Sequence, residues 1–540
     1  MDQTPQRLTG AQTVMACCAA AGMPAIFGVP GGGSSLDLIA AAKRQGIPFV
    51  LARTEGGAGI MAAALAELTH RPVGLLTTRG PGVSNAANAM ANAALERAPV
   101  ILFADGFPAA EARFTTHQWF DQAAMMAPVT SARLRTQEVP AGEATCAALQ
   151  AALAAPRGPA YLELPGDVAG GAATPGPDFR WPELSPPDAA TIAAARRMIA
   201  QAQRPALIIG LEATLPARAA ATRALVEALG APALVTYKAK GVVPDRHPLF
   251  GGVFTGGEAE APLLREADLI LLLGADPVEF IGQAWRYAAP VLDFATAPRR
   301  LDYTPPALAL HGAWEAAAEE LAGTCPARPW PAGEVARRRQ AWADSLRNTA
   351  GGNRGMAPSE IVTVTQAALS GHPRVAVDAG AHMFPCTSFW ECFAPGDLLI
   401  SNGLATMGYA LPAAIAAAWH DPARGALAFT GDGGLMMCLG ELATAAALKL
   451  NLTVVVFNDA LLSLIDIKKG ARDLPDGALD WPEADFAQVM QGMGGSAWRV
   501  ADAAGLRAAL AEAEATPGPR LIDVRTDPSS YPAQIKALRG

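Results

Sequence analysis

The chain has 540 residues, of which 51% are hydrophobic and only 17% charged, and its net charge is −8. This composition excludes a disordered protein, leaves room for three or four domains, and argues against nucleic acid as the main partner. No apolar run is long enough to span a membrane, residues 1–16 lack the pattern of a signal peptide, and the seven cysteines form no CxxC pair. We therefore expect a cytoplasmic protein without membrane contact, disulfide framework or zinc site.

Two stretches rich in proline and glycine, residues 165–188 and about 323–358, interrupt the chain. The second contains a short charged segment that predicts a helix at about 334–347. The breaks predict three domains, at residues 1–170, 186–325 and 355–540.

Each predicted domain alternates short apolar runs with long alanine-rich amphipathic segments. In chain order the runs are 25–29, 48–52, 73–78, 99–104 and 160–164, then 205–210, 231–237 and 267–275, and finally 375–380, 398–401, 425–431, 452–457 and 520–524. Continuous apolar strands alternating with helices predict parallel sheets covered on both faces. The expected fold is α/β, with three doubly wound parallel-sheet domains whose ligands bind beyond the carboxyl ends of the strands.

Three strand-to-helix turns of the first domain carry candidate residues. Gly28–Gly32 follows the first strand, Glu55 follows the second, and Gly80–Gly82 with Asn85 follows the third. A Glu in the first turn of a helix is usually no more than a favourable partner of the helix dipole. The glycine turns can equally be ordinary loops, so these residues alone do not decide a function.

The third domain carries the most specific pattern. Its strand at 425–431 runs into Gly431-Asp432-Gly433-Gly434, and after 24 further residues the next strand ends at Asn458 and Asp459. One turn, one helix and one strand return the chain to a neighbouring strand end, so Asp432 and Asp459 are expected to face one point. The glycines allow a phosphate to approach the backbone, and two carboxylates with diphosphate oxygens and water suit Mg²⁺. The alternative is a tight turn without a ligand.

This pattern resembles the thiamine-diphosphate-binding motif, in which Gly-Asp-Gly is followed after some two dozen residues by Asn-Asn. Asp459 stands in the second Asn position, as it does in catabolic acetolactate synthases. The resemblance implies that Gly431–Gly434 and Asp459 bind thiamine diphosphate. It also implies Mg²⁺ ligands from Asp432, Asp459 and the backbone oxygen of Leu461.

Two other segments of the third domain resemble acetolactate synthases. Ser401–Gly408 is similar to their SGGLGTMG element, which implies that the Ala405 carbonyl accepts from the cofactor's 4′-amino group and that Met407 supports the bent cofactor. Met407 could instead be an ordinary core residue. Gly380 and His382 match the family's Gly-Gln-His at the diphosphate, although a lone His is more often structural.

The same resemblance gives roles to the first domain. The family places a Glu after the second strand to protonate N1′ of the cofactor, which implies this role for Glu55. Pro30 and Asn85 fall in the family's GxPGG and GPGATN elements and are expected to bind the cofactor. Gln118 matches a substrate-side Gln, with His117 in place of the usual Phe; the alternative is a polar residue on a surface helix.

The central domain of acetolactate synthases holds FAD, but this chain departs from their pattern. No GxGxxG follows its first or third predicted strand, residues 254–257 differ from the family's Gly-Met-His-Gly, and no Asp-Ile-Asp-Pro occurs near Asp293. FAD is therefore not expected, and we interpret the domain as a structural spacer.

The resemblance spans essentially the whole chain. It implies thiamine-diphosphate- and Mg²⁺-dependent decarboxylation of a small 2-oxo acid with carboligation, by a homodimer or homotetramer with active sites at the subunit interface. The alternatives are a decarboxylase that releases an aldehyde and a non-catalytic cofactor-binding homologue. Pyruvate and indolepyruvate decarboxylases have an adjacent His-His pair that this chain lacks, and the presence of Glu55 argues against a non-catalytic protein.

Lys468 is the clearest departure on the substrate side. Biosynthetic acetolactate synthases have a Trp there that packs on the acceptor 2-oxo acid. Lys468 is expected either to hold a substrate carboxylate or to be, with Lys469, a solvated helix end.

Overall fold

The computed structural model describes residues 8–280, 282, 284–298, 304–347, 354–472, 474–475, 477 and 479–539. Within these residues the strands form three six-stranded sheets, and every pair of neighbouring strands is parallel. The predicted α/β fold with three doubly wound parallel sheets is confirmed.

The first sheet and its helices come from the N-terminal third of the chain. The strands are β1 (Ile26–Val29), β2 (Phe49–Leu51), β3 (Val73–Thr77), β4 (Val100–Gly106), β5 (Ala132–Arg135) and β6 (Ala160–Pro165). The helices are α1 (Gly10–Ala20), α2 (Ser34–Arg44), α3 (Glu55–Thr69), α4 (Pro81–Leu95), α5 (Ala109–Ala112), α6 (Gln122–Met126), α7 (Ala141–Leu153) and α8 (Gly166–Gly170).

The second sheet follows in the middle of the chain. Its strands are β7 (Pro205–Ile209), β8 (Ala233–Val235), β9 (Phe250–Val253), β10 (Leu269–Leu273), β11 (Val291–Ala295) and β12 (Leu308–His311). The accompanying helices are α9 (Ala189–Gln201), α10 (Pro216–Leu229), α11 (Ala261–Arg265), α12 (Glu315–Thr324) and α13 (Glu334–Leu346).

The third sheet is built from the C-terminal part. Its strands are β13 (Arg374–Val377), β14 (Leu398–Ile400), β15 (Ala426–Gly431), β16 (Leu452–Asn458), β17 (Ser496–Val500) and β18 (Arg520–Arg525). The helices are α14 (Pro358–Ala368), α15 (Met383–Phe389), α16 (Ala410–His420), α17 (Asp432–Met437), α18 (Glu441–Ala447), α19 (Ser463–Gly470), α20 (Phe486–Gly492), α21 (Ala503–Ala515) and α22 (Tyr531–Arg539).

The strand orders locate the ligand crevices. The first sheet, β2-β1-β3-β4-β6-β5, and the third, β14-β13-β15-β16-β18-β17, share one topology. The second sheet, β9-β8-β7-β10-β11-β12, has the strand order of dinucleotide-binding folds. Ligands in open parallel sheets bind at the carboxyl ends of the strands where the strand order reverses. These points lie between β1 and β3, between β7 and β10, and between β13 and β15.

The alanine-rich helices pack closely because their contact faces carry small side chains. On α3, an added methyl group at Gly59 would lie 2.5 Å from the Cβ of Ala89 on α4. The first turn of α3 is fixed by its N-cap, because the Gly57 N–H donates to the Thr54 hydroxyl at 2.9 Å. The turn that precedes Glu55 is therefore fixed to the N-terminus of α3.

The sequence prediction missed several strands, and most of these have one feature in common. β5, β9, β12 and β17 lie at sheet edges, where a strand is short and has one neighbour, so it shows no long apolar run. β11 lies inside its sheet but has Asp293 in its middle, which interrupts the apolar pattern.

The chain forms two compact units. The first contains the described residues up to Glu183 with Pro412–His420 and Cys438–Leu448, and the second contains Leu184–Leu411, Asp421–Met437 and the described residues from Lys449 onward. Segments of the predicted third domain thus belong to both units, and the predicted domain boundaries stay proposals. No helix in the described ranges is long and apolar enough to cross a membrane.

A buried carboxylate lies at the reversal point of the second sheet. Glu279, just after β10, accepts N–H groups from Leu211 and Asp276 at 3.0 Å and the hydroxyl of Thr236. Leu211 directly follows Gly210 at the end of β7, so the carboxylate bridges the two strand ends. In a dinucleotide-binding fold, N–H groups at this point bind the pyrophosphate. Here they are bound to the protein's own carboxylate.

We predict that Glu279→Gln flattens the dependence of stability on pH. Burial raises the pKa of Glu279 to about 8, so the wild type loses stability as pH rises through that value, whereas an amide keeps the hydrogen bonds without a charge. The variant should gain roughly 2 kcal/mol over wild type between pH 6 and pH 9. Urea unfolding at both pH values measures this gain. The exposed Glu319→Gln is the control, and parallel pH curves for Glu279→Gln and wild type would contradict the assignment.

Candidate active site

The reversal point of the third sheet brings His382 against the Gly-Asp-Gly turn. An added Cβ at Gly380 would lie 2.8 Å from the His382 ring, and one at Gly431 would lie 3.1 Å from it. The ring stacks on Phe457 of β16, with 5.3 Å between the ring centroids. The glycines at the ends of β13 and β15 therefore allow the close packing that the prediction for Gly380 and His382 requires.

His382 is a buried neutral base. Burial lowers its pKa to about 3, so the imidazole carries no charge at neutral pH. Its Nε2 is buried and has no hydrogen-bond partner among the described residues. Because buried polar atoms are nearly always paired in proteins, this atom fits a ligand at the turn.

Asp432, which is buried, and Asp459, which is half-buried, follow the ends of β15 and β16 and face each other there. One oxygen of Asp432 accepts the Gly433 N–H at 2.8 Å, while the other is buried without a partner in the described part of the chain. Burial raises the pKa of Asp432 to about 7, and the neighbouring Asp459 carboxylate adds to the rise. Burial also raises the pKa of Asp459 to about 6. Two buried like charges of this kind are stabilised by a cation.

The turn after Asp459 presents a backbone oxygen. The Asp459 carboxylate accepts the Leu461 N–H at 3.3 Å and the Ser463 hydroxyl at 2.5 Å. Between them, Ala460 has a positive φ of 57°. The Leu461 carbonyl accepts no hydrogen bond within the described ranges. The described residues contain no group of three or more His, Cys, Asp or Glu side chains that could hold a metal ion by themselves. The two carboxylates and this carbonyl therefore need oxygens from a ligand to complete a metal site.

The Gly433 backbone is surrounded by apolar side chains. Atoms of Trp481, Leu462 and Met407 lie 3.1–3.4 Å from the position that a Cβ on Gly433 would take. Met407 is thus at the Gly-Asp-Gly turn, and its role as a support of the bent cofactor stays a prediction. Trp481 was not predicted. Its backbone N–H donates to the Ala460 carbonyl at 3.3 Å, which places Trp481 beside the Asp459 turn.

Ala405 has the backbone conformation of a special turn. Its φ is 54°, in the left-handed region that is uncommon for residues other than Gly. Its carbonyl accepts no hydrogen bond from the described residues. That free acceptor fits the role implied for Ala405.

Asp378 is a structural residue of the site that the sequence reasoning missed. It follows β13, is fully buried, and accepts the Thr430 hydroxyl at 2.9 Å and the Tyr409 N–H at 3.2 Å. Gly434 packs on the same carboxylate: a Cβ added at Gly434 would lie 2.6 Å from an oxygen of Asp378. Burial raises the pKa of Asp378 to about 6. A charged residue inside the apolar run 375–380 was the signal that could have identified it.

The first sheet holds Glu55 in a separate cluster. Glu55 is 9% exposed, and its carboxylate accepts the Asn85 side-chain N–H at 3.3 Å. Gly82 lies close by, with 3.3 Å between its would-be Cβ and the Glu55 carboxylate. The structure therefore brings together the predicted residues Glu55 and Asn85 and the Gly80–Gly82 turn.

The turn at Gly80 is supported by two glutamines. Gln118 packs on it, with its carbonyl 2.5 Å from the would-be Cβ of Gly80, and lies in an exposed turn at φ 61° rather than on a helix. Gln122, which was not predicted, is buried and accepts the Gly80 N–H. Pro30 lies half-buried after β1, beside Gly31, whose would-be Cβ meets Thr78 after β3.

A cavity lies beside the Asp459 turn, and Lys468 is not among the residues that line it. The cavity, of about 450 Å³, is lined by Arg354, Leu461, Ser463, Asp466, Ile467 and residues of the 527–532 segment. Lys468 is exposed and does not line it. This placement favours a solvated side chain for Lys468, whereas Lys469 is half-buried and pairs with Asp466 at 2.8 Å.

Three family models match the chain in order. They are described as the N-terminal TPP binding domain, the central domain and the C-terminal TPP binding domain of thiamine pyrophosphate enzymes, and they match residues 8–125, 192–321 and 378–524. The resemblance stated from the sequence is confirmed.

Relatives match over nearly the whole chain. Acetolactate synthase of Bacillus subtilis (strain 168) is 29% identical, covering 96% of this chain and 93% of the relative. The catabolic acetolactate synthase of Raoultella terrigena is 28% identical, covering 98% and 97%. A probable 2-ketoarginine decarboxylase of Pseudomonas aeruginosa is 30% identical, covering 91% and 89%.

A solved structure has the same fold. The thiamine diphosphate-dependent 4-hydroxybenzoylformate decarboxylase of Rhodococcus jostii RHA1 matches with a TM-score of 0.84 at 21% identity, over 96% of this chain and 99% of that chain.

We predict that Asp459→Asn stabilises the metal-free protein. The amide removes one of two facing charges, its oxygen can accept the Leu461 N–H, and its NH₂ group can donate to the Ser463 hydroxyl oxygen. Unfolding at pH 8 with a chelator present should show a gain of about 1 kcal/mol. The exposed Asp344→Asn should change little, and an Asp459→Asn protein no more stable than wild type would contradict the charge pairing.

Proposed function

Because the chain belongs to the thiamine pyrophosphate enzyme family, in its acetolactate synthase-like branch, we propose that it is a Mg²⁺-dependent carboligase. It decarboxylates a 2-oxo acid and joins the acyl unit to a second carbonyl compound. The observation that carries the proposal is the Asp432–Asp459 pair with the free Leu461 carbonyl. Whole-length similarity to two acetolactate synthases supports carboligation.

The residues of the second unit would hold the cofactor's charged end. Asp432, Asp459 and the Leu461 carbonyl offer hard oxygen ligands to Mg²⁺. The neutral His382 ring and the glycines around Asp432 fit a diphosphate, because they combine an unpaired ring nitrogen with accessible backbone. The bound cofactor supplies an electron sink for the electron pair left when CO₂ departs.

Glu55 would manage a proton at the cofactor's aminopyrimidine ring. Its carboxyl would share a proton with ring atom N1′, while the Ala405 carbonyl would accept from the 4′-amino group. Asn85 orients the Glu55 carboxylate by its hydrogen bond. Low solvent access at Glu55 suits proton sharing, because water does not compete for the carboxylate.

The central domain is proposed to work without FAD. Its strand order suits a dinucleotide, but the N–H group of Leu211 at the reversal point is already bound by Glu279. A phosphate there would have to displace a buried carboxyl group that already accepts this N–H, and leave that group without its hydrogen bonds. The domain then serves as a structural spacer.

A decarboxylase that releases an aldehyde is the second candidate. It is favoured by the 30% identity to the probable 2-ketoarginine decarboxylase. Incubation with thiamine diphosphate, Mg²⁺ and a panel of 2-oxo acids, followed by mass analysis, separates the two. A product containing a new carbon–carbon bond supports carboligation, an aldehyde supports the alternative, and no turnover of any member contradicts both.

The active site is proposed to form between two subunits of a homodimer, or of a homotetramer built from such dimers. Glu55 belongs to one compact unit and Asp432 to the other. Large apolar side chains are exposed on each: Phe114 (68%) and Trp119 (54%) on the first, Met436 (54%) and Met437 (63%) on the second. Met436 and Met437 lie on α17, which begins at Asp432. Soluble proteins usually cover such residues in an interface.

We predict that Glu55→Gln slows hydrogen–deuterium exchange at C2 of the bound cofactor by about 100-fold or more, because the amide cannot transfer a proton. Cofactor affinity should change little. The matched control is Glu143→Gln, since Glu143 is an exposed acidic residue in the first turn of α7. Exchange at the wild-type rate in Glu55→Gln would remove Glu55 from the mechanism.

We also predict complementation between Glu55→Gln and Asp432→Ala subunits. Each homodimer should be inactive, but a mixed dimer has one site with both native residues. A co-expressed, randomly mixed sample should recover about a quarter of wild-type activity. No recovery, with mixed dimers verified by mass, would contradict a site shared between subunits.

A further inference from the structure

Glu441 is a buried carboxylate outside the site described above. It begins α18, belongs to the same compact unit as the first sheet, and has no solvent exposure. A buried carboxylate is retained in a fold only where hydrogen bonds or charges compensate for its lost hydration. Its partners therefore indicate what it does.

Those partners lie in the turn directly before Glu55. The carboxylate accepts the Arg53 N–H at 3.1 Å, the Thr54 N–H at 3.0 Å and the Thr54 hydroxyl at 3.1 Å. Its second oxygen accepts the Thr444 hydroxyl at 2.7 Å. Two successive backbone donors and two side-chain hydroxyls thus converge on one carboxylate, and three of these four donors belong to Arg53 and Thr54.

The turn has no substitute for these bonds. In the described residues, the N–H groups of Arg53 and Thr54 have no other acceptor. Gly57 packs on the Glu441 carboxylate, because a Cβ added at Gly57 would lie 2.4 Å from one of its oxygens. The Thr54 hydroxyl also caps α3 through the Gly57 N–H. Glu441 therefore fixes both the path of the turn and the start of the helix on which Glu55 is the first residue.

We propose that Glu441 is a positioning residue for Glu55. It holds the β2–α3 turn so that the Glu55 carboxyl keeps the orientation needed for proton transfer. The inference rests on the proposed function, because Glu55 is assigned the proton-sharing role there. Catalytic groups displaced by about 1 Å lose much of their effect, so loss of the anchor should appear in the proton-transfer step.

The test measures C2 hydrogen–deuterium exchange of bound thiamine diphosphate in wild type, Glu441→Ala, Glu55→Gln and the double variant. Glu441→Ala should slow exchange by about 10- to 100-fold, with cofactor affinity changed by only a few fold. The double variant should exchange at the rate of Glu55→Gln alone, because an anchor for Glu55 has nothing left to position. A purely structural role would lower the rate by the same factor in both backgrounds.

The conservative variant completes the design. Glu441→Gln keeps one oxygen that can accept from the Arg53–Thr54 turn, so it should recover part of the exchange rate lost in Glu441→Ala. If Glu441→Ala does not fold, the same comparison is made with Glu441→Gln. Equal slowing in both backgrounds, or a wild-type rate in the Glu441 variants, would overturn the inference. A wild-type rate in Glu55→Gln would instead overturn the proposed function.

Discussion

Two neighbouring carboxylates with little access to water, those of Asp432 and Asp459, are the constraint on which the rest of the site depends. β15 and β16 are parallel neighbours in register from Ala426–Leu452 to Gly431–Phe457, so Asp432 and Asp459 follow them at the same edge. Each charge opposes the other in a region with little water. In the proposed function, a cation bridged to a polyanionic ligand would neutralise both charges. The free oxygen of Asp432, the unpaired nitrogen of His382 and the glycine turn complement such a ligand.

The first and third sheets share a topology but hold different chemistry. The third presents carboxylates, glycines and a neutral ring, which suit a metal and phosphates. The first presents Glu55, tied to Asn85 and to a turn held by Glu441, which suits a proton. The second has the strand order of a dinucleotide fold but places the Glu279 carboxylate at its reversal point. Strand order thus locates each crevice, and the side chains at the strand ends decide what binds there.

The sequence predicted those features of the fold and the site that depend on a local pattern of apolar or acidic residues. Apolar runs located interior strands such as β15 and β16, and the spacing of Asp432 and Asp459 indicated that both would reach one edge. It missed edge strands such as β17, whose burial is incomplete. It also missed Glu279 and Glu441, because most of their partners lie far away in the chain and no short motif marks them. For Lys468 the sequence left two interpretations open, because a position in the chain does not show which side of α19 faces the cavity.

The central claim is that Asp432 and Asp459 form a metal site only with diphosphate oxygens. Binding of Mn²⁺, followed by electron paramagnetic resonance, tests it directly. The account predicts weak binding of Mn²⁺ alone, tight binding when thiamine diphosphate is added, and loss of the tight binding in Asp432→Ala. Tight Mn²⁺ binding without a diphosphate, or unchanged tight binding in Asp432→Ala, would contradict it.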